Sequence, residues 1–317
     1  MSRPHDQRFD RAAALLGQLA EFDVPLGPMT TYRVGGRARL FVRPTTVAEL
    51  ESVSAAVRES ALPVLVVGRG SNLLVADGGF GGIAISLSEL GAEIEVDATV
   101  VTAGGAVALP MLARRTVAIG LAGFEWAVGV PGSVGGGVRM NAGGHGSDMA
   151  ERLIAADVFD LGTAVRRWIP AGELGLRFRG SGLGDQQVVI AARIQLEYGS
   201  TERSQQVLDE VVRWRREHQP GGQNAGSVFV NPVPGEVTAG ALIDGLGLRG
   251  LRIGTAHVSE KHANFIQASD GGSAADVQAV IETVRRRVAD ETGFLLRSEV
   301  RLVGFDDAEA LDGAAEL

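Results

Sequence analysis

The chain has 317 residues, of which 45% are hydrophobic and 21% charged, a composition typical of a globular protein with more than one substructure. Its net charge of −8 argues against nucleic acid as the main partner, and the absence of cysteine excludes disulfides, thiolate metal sites and cysteine nucleophiles. No uncharged apolar run reaches the roughly 18 residues that a membrane span needs, and the polar N-terminus does not resemble a signal peptide. We therefore expect a cytoplasmic protein without membrane insertion.

The first predicted elements form an α/β unit. Thr46 and Glu49 fit a capping box, which predicts the start of a helix, and Pro63 ends that helix. Residues 64–67 then have the pattern of a buried strand, and a second short strand is predicted at 83–87, after a glycine-rich turn.

A second sheet is predicted from residue 93 onwards, where the hydrophobic period changes to two. Its strands are expected around Ile94, Val96 and Val100 and in the stretches 153–159 and 188–198.

Three further helices and a last strand complete the predicted elements. A helix over 109–119, which Gly120 ends, interrupts the second sheet. Helical spacing also predicts helices over 201–216 and 274–287, the second of which Ser273 caps and Gly293 stops. Residues 295–303 alternate like a final strand.

The segment 129–144 contains seven glycines in 16 residues, a density that cannot fill a core. Glycine is tolerated where the backbone turns through positive φ or lies close to a ligand, and successive freed N–H groups suit a diphosphate. A flexible linker would not carry interleaved apolar residues such as Trp126, Val130 and Val134. We favour a ligand-binding loop, with a tight structural turn as the alternative.

A second glycine-rich loop, Gly68 to Leu73, directly follows the predicted strand at 64–67. It is not a Rossmann fingerprint, because Leu73 stands where the third glycine belongs and no helical pattern follows. Such a loop can still donate several N–H groups to a diphosphate, although an ordinary turn is the alternative. Two separate glycine-rich loops suggest one large dinucleotide.

Local sequence patterns alone give only weak evidence for catalytic residues. Ser227 fits a strand-start hydrogen-bonding serine, Arg179 a surface arginine, and Glu299 a solvated carboxylate on the polar side of the last strand. His145 and His218 lack an acid at ligand spacing, and His257 and His262, five apart, would face opposite sides of a strand, so no metal site is expected. Neither a nucleophile elbow nor an H-E-x-x-H helix occurs.

In their order along the chain, however, these pieces resemble one known family, the UDP-N-acetylenolpyruvoylglucosamine reductases of peptidoglycan synthesis. A single motif would be weak evidence for this resemblance, but seven motifs in the same order between residues 25 and 304 are strong evidence. The matching motifs are Thr30–Gly36, Gly68–Leu74, Gly129–Gly136, Met140–Gly143, Gly226–Phe229, Lys261–Phe265 and Glu299–Arg301.

The resemblance implies an α+β fold. Two α+β subdomains, of the vanillyl-alcohol-oxidase-like flavin fold, would bind FAD, and a smaller α/β subdomain would bind substrate. The implied boundaries are 1–88 with 303–317 for the first FAD-binding subdomain, 89–216 for the second, and 217–302 for the substrate subdomain.

The resemblance also implies the ligands. FAD would be held non-covalently, NADPH would be the co-substrate, and a UDP-sugar nucleotide would be the substrate; we expect a monomer, although the sequence does not determine the oligomeric state. The expected FAD contacts are Tyr32, Val67, Gly68, Arg69, Gly70, Ser71, Asn72, Leu73, Gly129, Val130, Pro131, Gly132, Ser133, Gly135, Gly136 and Asn141.

Three catalytic residues follow from the same resemblance: Arg179 as the reactive arginine, Ser227 as the proton donor and Glu299 as the carboxylate. A permanent cation suits a substrate carboxylate that becomes an enolate, whereas Glu299 must share a proton to help. Asn231, Lys261 and His145 are the expected substrate contacts.

Three positions depart from the family pattern. Phe178 and His145 stand where the family usually has tyrosine, and Val230 replaces a common lysine. These departures affect substrate contacts more than FAD binding. Two alternatives therefore stay open: a flavin oxidase of the same fold acting on an alcohol, and a flavin or nucleotide carrier without this catalysis.

Overall fold

The computed structural model describes residues 7–305. Residues 1–6 and the acidic residues 306–317 lie outside the described residues, and so does most of the segment 303–317 that was assigned to the first subdomain. Within the described part the α-helices are α1 Gln7–Leu16, α2 Val47–Ser60, α3 Leu109–Ala118, α4 Val134–Arg139, α5 Thr201–His218, α6 Ala239–Gly245 and α7 Ala274–Thr292.

The strands mix short and long segments. In chain order they are β1 Glu21–Pro25, β2 Arg37–Val42, β3 Val64–Val66, β4 Leu73–Val75, β5 Phe80–Ile85, β6 Ile94–Asp97, β7 Val100–Gly104, β8 Leu121–Ala122, β9 Gly143–Gly144, β10 Ser147–Asp148, β11 Leu153–Asp160, β12 Val165–Pro170, β13 Gln187–Gln195, β14 Glu197–Tyr198, β15 Arg252–Ile253, β16 Ala256–Val258, β17 Ile266–Ala268 and β18 Arg301–Val303.

The chain divides into two compact units. Of the described residues, unit 1 contains 7–24, Arg39–Arg69 and Gly81–Arg215. Unit 2 contains Pro25–Ala38, Gly70–Phe80 and residues 216–305. The three subdomains expected from the sequence stay a prediction.

Unit 1 has two hydrophobic cores. One lies where α1 and α2 pack with strands of a sheet of order β1-β2-β5-β3, and it includes Leu50, Val53 and Ile83. The other lies against a five-stranded antiparallel sheet of order β12-β11-β13-β7-β6, with Leu112 and Trp126 among its buried residues. The predicted α/β opening and the predicted second sheet are both confirmed.

Unit 2 is organised around α7. Its apolar stripe, which includes Val280, Ile281 and Val284, is fully buried with residues of the three-stranded sheet β15-β16-β17. Strand β18 pairs in parallel with β4, so the end of the chain joins the segment that follows Gly70.

The helix signals in the sequence are confirmed. The Thr46 side chain accepts a hydrogen bond from the Glu49 amide, and Ser273 caps α7 in the same way through Asp276. Gly293 ends α7 in the left-handed conformation at φ 77°, which confirms the predicted stop, although the helix runs to Thr292 and not only to Arg287.

Two strand predictions needed correction. The second strand of the opening unit begins at Phe80, so part of the predicted turn belongs to β5. The predicted strand 295–303 is wrong in extent, because only Arg301–Val303 forms a strand. Its first part instead pairs with another segment, since the Val230 amide donates to the Arg297 carbonyl and the Glu299 amide to the Val228 carbonyl.

Candidate active site

The loop from Gly68 to Asn72 connects β3 to β4 and leaves its backbone donors unused. None of its five consecutive N–H groups donates a hydrogen bond to a described residue. Gly70 has φ 60°, and a Cβ there would lie 2.1 Å from the Met29 carbonyl oxygen. Successive unpaired N–H groups in a tight turn form a concave anion site, so this loop can hold a phosphate.

Asn72 has a second role at the end of this loop. Its side-chain Nδ2 donates to the Glu299 carbonyl at 2.9 Å. Its own carbonyl accepts from the Arg301 amide at 3.0 Å. Asn72 therefore ties the loop to the backbone on both sides of Val300, within unit 2.

The glycine run of unit 1 is more regular than the sequence indicated. The predicted loop is wrong in its centre, because Val134–Arg139 forms helix α4 with Ser133 as its N-cap. The Gly135 amide donates to the Gly105 carbonyl at 2.9 Å, and the Val134 amide donates to Val107. Backbone groups of unit 1 thus use donors that the sequence assigned to a ligand.

Few donors of this run stay available. The amide of Val130 donates to Ala127, and that of Gly136 donates to the Ser133 side chain at 3.4 Å. The amides of Gly132 and Ser133 donate to no described residue, and Pro131 has no N–H.

The two glycine-rich segments meet within unit 1 at Gly68 and Ser133. A Cβ built on Gly68 would lie 2.6 Å from the Ser133 Oγ, closer than real Cβ contacts. Gly68 is exposed, whereas Ser133 is buried. A side chain at position 68 would fill the space beside the helix cap, and glycine keeps that space open.

Arg179 lies at the tip of a two-residue turn in unit 1. Arg177 and Gly180 exchange backbone hydrogen bonds of 2.9 and 3.1 Å, which leaves Phe178 and Arg179 as the turn residues. Arg179 has φ 55°, and its guanidinium carbon lies 4.9 Å from the centre of the Phe178 ring. The Phe178 side chain is 63% exposed. A guanidinium beside an aromatic ring is attracted by the ring electrons, so this contact helps to hold the Arg179 side chain at the turn.

Asn141, an expected FAD contact, supports this turn instead. Its Nδ2 donates to the Arg177 carbonyl at 3.2 Å and to Asp148, and its Oδ1 accepts from the Ala150 amide at 2.9 Å. The residue is buried, so its polar atoms are committed to unit 1 itself.

The structure brings Ser227 and Glu299 onto neighbouring backbone segments of unit 2. The Glu299 amide donates to the carbonyl of Val228, the residue after Ser227, at 2.7 Å. Both side chains are half-buried. The Ser227 hydroxyl forms no hydrogen bond with a described residue, which leaves its proton available for a ligand.

Two further expected FAD contacts are buried. The Tyr32 ring is fully buried in the core of unit 2, and this burial raises the pKa of its hydroxyl above the usual value, opposed by the backbone of Ala225. Val67 is also buried, and its amide donates to the Ile85 carbonyl. Arg69, by contrast, is exposed.

The three expected substrate contacts lie in different surroundings. The Asn231 Oδ1 accepts from the amide of Ala239, the first residue of α6, at 3.1 Å. The Lys261 Nζ donates to the Arg216 carbonyl in the last turn of α5. Both side chains therefore also stabilise a helix end in unit 2.

His145 lies beside the glycine run in unit 1. Its ring packs edge-on against Trp214 with centroids 5.1 Å apart. Burial, followed by the charge of Arg215, lowers the pKa of His145. Arg215 in turn donates to the Gly129 carbonyl. Burial and the charge of Arg215 both disfavour the protonated form of the imidazole.

Sequence reasoning assigned no role to Asn264, although this residue lies in the matching motif Lys261–Phe265. It is buried, and its side chain forms hydrogen bonds with both the amide and the carbonyl of Phe229. The available signal was a polar residue within the apolar stretch Ala263–Ile266, since a buried amide needs partners.

Within residues 7–305, clusters of metal ligands and membrane-spanning helices are both absent. Among those residues, no group of three or more His, Asp or Glu side chains is placed to hold a metal ion. None of the helices in the same range is long and apolar enough to cross a membrane.

Known families match two parts of the chain. Residues 38–166 match the family described as an FAD binding domain. Residues 218–303 match the family described as the C-terminal domain of UDP-N-acetylenolpyruvoylglucosamine reductase. The first match lies almost wholly in unit 1 and the second wholly in unit 2.

Individual relatives match along nearly the whole chain. A UDP-N-acetylenolpyruvoylglucosamine reductase of Heliobacterium modesticaldum is 43% identical over 91% of this chain and 92% of its own length. One of Gloeobacter violaceus is 42% identical over 89% of this chain and 95% of its own. The crystal structure of the Thermus caldophilus reductase is similar with a TM-score of 0.76 and 35% identity, covering 90% of this chain and 98% of that one.

Proposed function

Because this chain belongs to the UDP-N-acetylenolpyruvoylglucosamine reductase family, and is an FAD-containing oxidoreductase with that activity, we propose how its residues carry out the reaction. The relationship to reductases at 43% identity favours this activity over the alcohol oxidase and the carrier without catalysis. We propose NADPH as the reductant and a UDP-sugar enolpyruvyl ether as the substrate. The cytoplasmic location and the monomeric state stay predictions.

We assign the FAD diphosphate to the loop Gly68–Asn72. The supporting observation is the row of five N–H groups that donate to no described residue. The open space at Gly68, which a Cβ would fill, and the unpaired amides of Gly132 and Ser133 suit the same ligand. No cysteine is present for a thioether, which supports non-covalent binding. When bound, the flavin would supply the redox chemistry, because it can accept a hydride from NADPH and transfer it to the enolpyruvyl double bond.

The charge that develops on the substrate determines what the protein must supply. Hydride addition to the β-carbon of the enol ether places negative charge on the α-carbon and its carboxylate. Arg179 would bind that carboxylate, because its guanidinium offers paired donors and a permanent positive charge. The exposed Phe178 ring beside it keeps water from part of the guanidinium.

Ser227 would then donate its proton to the α-carbon. The supporting observation is that its hydroxyl is half-buried and has no hydrogen-bond partner among the described residues. Glu299, on the adjacent backbone segment, would assist in its protonated form by hydrogen bonding to the developing charge. We propose Asn231, Lys261 and His145 as contacts to the rest of the substrate.

Stopped-flow absorbance of the flavin tests this assignment with Ser227→Ala. NADPH should reduce FAD at the parental rate, because no proton from the serine is needed in that half-reaction. Reoxidation by the enolpyruvyl substrate should slow about 100- to 10,000-fold, the usual contribution of a general acid.

Ser52→Ala on α2 is the matched control, since it removes a serine hydroxyl that bonds only to Ala48 within its own helix. It should leave both half-reactions unchanged. Parental reoxidation in Ser227→Ala would show that Ser227 is only a structural residue.

A further inference from the structure

We propose that Asn264 is a positioning residue for the reaction, because it fixes the backbone that places Ser227 next to Glu299. This inference rests on the proposed role of Ser227 as proton donor. Asn264 itself has no path to the substrate, because its side chain is buried and its amide atoms are bonded to Phe229.

Three hydrogen bonds join Asn264 to the two residues after Ser227. The Asn264 carbonyl accepts from the Val228 amide at 2.9 Å. The Asn264 Oδ1 accepts from the Phe229 amide at 2.9 Å, and its Nδ2 donates to the Phe229 carbonyl at 2.8 Å. The side-chain amide thus replaces a neighbouring strand, offering one donor and one acceptor to the same residue.

The opposite edge of this segment is bonded to the segment that carries Glu299. Val228 accepts from the Glu299 amide, and the Val230 amide donates to the Arg297 carbonyl. The backbone after Ser227 is therefore held from both sides, by Asn264 on one and by residues 297–299 on the other.

The position of the Ser227 side chain follows from the backbone on either side of it. Its hydroxyl forms no hydrogen bond with a described residue. Gly226, directly before it, has φ 82°, a conformation that places a turn rather than a strand on that side. The position of the hydroxyl therefore depends on Val228 and Phe229 after it and on Gly226 before it, whose amide donates to the Asn224 Oδ1.

Loss of the Asn264 amide would leave two buried backbone groups of Phe229 without partners. Phe229 is 1% exposed, so water does not reach these groups in the native arrangement. An unpaired buried amide or carbonyl is strongly unfavourable, and the segment must move to recover partners. Such a movement changes the distance from Ser227 to the substrate without removing any catalytic group.

The test is Asn264→Ala, compared with the parent as FAD-loaded enzyme by stopped-flow absorbance. Reduction by NADPH should stay within about twofold of the parent. Reoxidation by the enolpyruvyl substrate should slow about 100-fold, the effect of displacing a catalytic group by roughly 1 Å. Asn264→Asp is the second variant if the alanine variant does not fold, because it keeps the acceptor for the Phe229 amide and replaces the amide donor with a carboxyl oxygen that faces the Phe229 carbonyl.

A double variant separates positioning from general stability. In a Ser227→Ala background, Asn264→Ala should cause no further loss in reoxidation, because its effect passes only through Ser227. Ile281→Val, in the buried stripe of α7, controls for lower stability and should leave both half-reactions unchanged.

Each outcome decides. Multiplicative losses in the double variant, or a loss equally large in both half-reactions, would overturn the positioning role. Parental reoxidation in both Asn264 variants would overturn it as well. Parental reoxidation in Ser227→Ala would instead show that the proposed proton donor is wrong, which is a separate failure.

Discussion

Two segments of this protein are both rich in glycine, but they differ in whether their backbone N–H groups are bonded within the protein. The loop Gly68–Asn72 leaves five consecutive N–H groups without a described acceptor. In the run from Gly129 to Gly137, short helices and neighbouring backbone groups occupy most of the donors. Glycine density therefore does not measure how many donors a segment offers to a ligand.

The difference comes from what surrounds each segment. In the second run the backbone approaches other backbone closely, and a Cβ on Gly135 would lie 3.2 Å from the Gly105 carbonyl oxygen. Glycine serves packing there, as well as forming α4 directly after Ser133. In the first loop, close approach at Gly70 bends the chain, and the bend exposes the donors.

The strongest test of this comparison is Gly70→Ala. The new Cβ would meet the Met29 carbonyl at 2.1 Å in a residue with φ 60°, so backbone must move. We expect the free energy of unfolding to fall by about 3 kcal/mol or more, with loss of FAD. Thermal unfolding and the ratio of flavin to protein absorbance measure both effects.

Gly78→Ala is the matched control, since nothing lies within 4 Å of the Cβ position. It should change neither quantity measurably. A Gly70→Ala protein of parental stability would show that the bend at this position is not required.

Gly68→Ala should have an intermediate effect, and it should weaken FAD binding more than it lowers the stability of the fold. The new Cβ meets only the Ser133 side chain, at 2.6 Å from its Oγ, and that side chain can rotate. We expect a change in unfolding free energy below about 1 kcal/mol. FAD should bind about 10-fold more weakly or worse, because each factor of ten needs only about 1.4 kcal/mol.

The cause of that weakening is separable with Gly68→Ala in a Ser133→Ala background. If the methyl group obstructs the phosphate, FAD titration should still show weak binding after the contact with Ser133 is removed. Recovery of parental affinity would assign the effect to the displaced helix cap instead.

Gly136→Ala should have the smallest effect, and it should be favourable. Gly136 is exposed within α4, and its Cβ position lies 3.4 Å from the Ser133 Oγ with no other near contact. Alanine in place of glycine in a helix gains up to about 1 kcal/mol. We therefore expect a slightly higher melting temperature in calorimetry with full FAD content. A more stable protein that had lost FAD would place the ligand against this helix and remove the contrast between the two segments.

The sequence alone determined the family, the FAD cofactor and the α+β class, because these depend on motifs that are contiguous in the chain. Helix starts were also local: Thr46 and Ser273 bond to amides three residues later, which a capping pattern reveals. The placement of Ser227 beside Glu299 was available only through the family resemblance.

Only the tertiary structure decided which polar groups form hydrogen bonds within the protein and which stay available to a ligand. Asn72 bonds to Glu299, which lies 227 positions away, and Asn264 bonds to Phe229 across 35. The stretch 295–303 alternates like one strand, yet it pairs first with residues 228–230 and then with β4. A local pattern records which face of the chain is apolar, but hydrogen-bond partners that are distant in sequence exist only once the chain has folded.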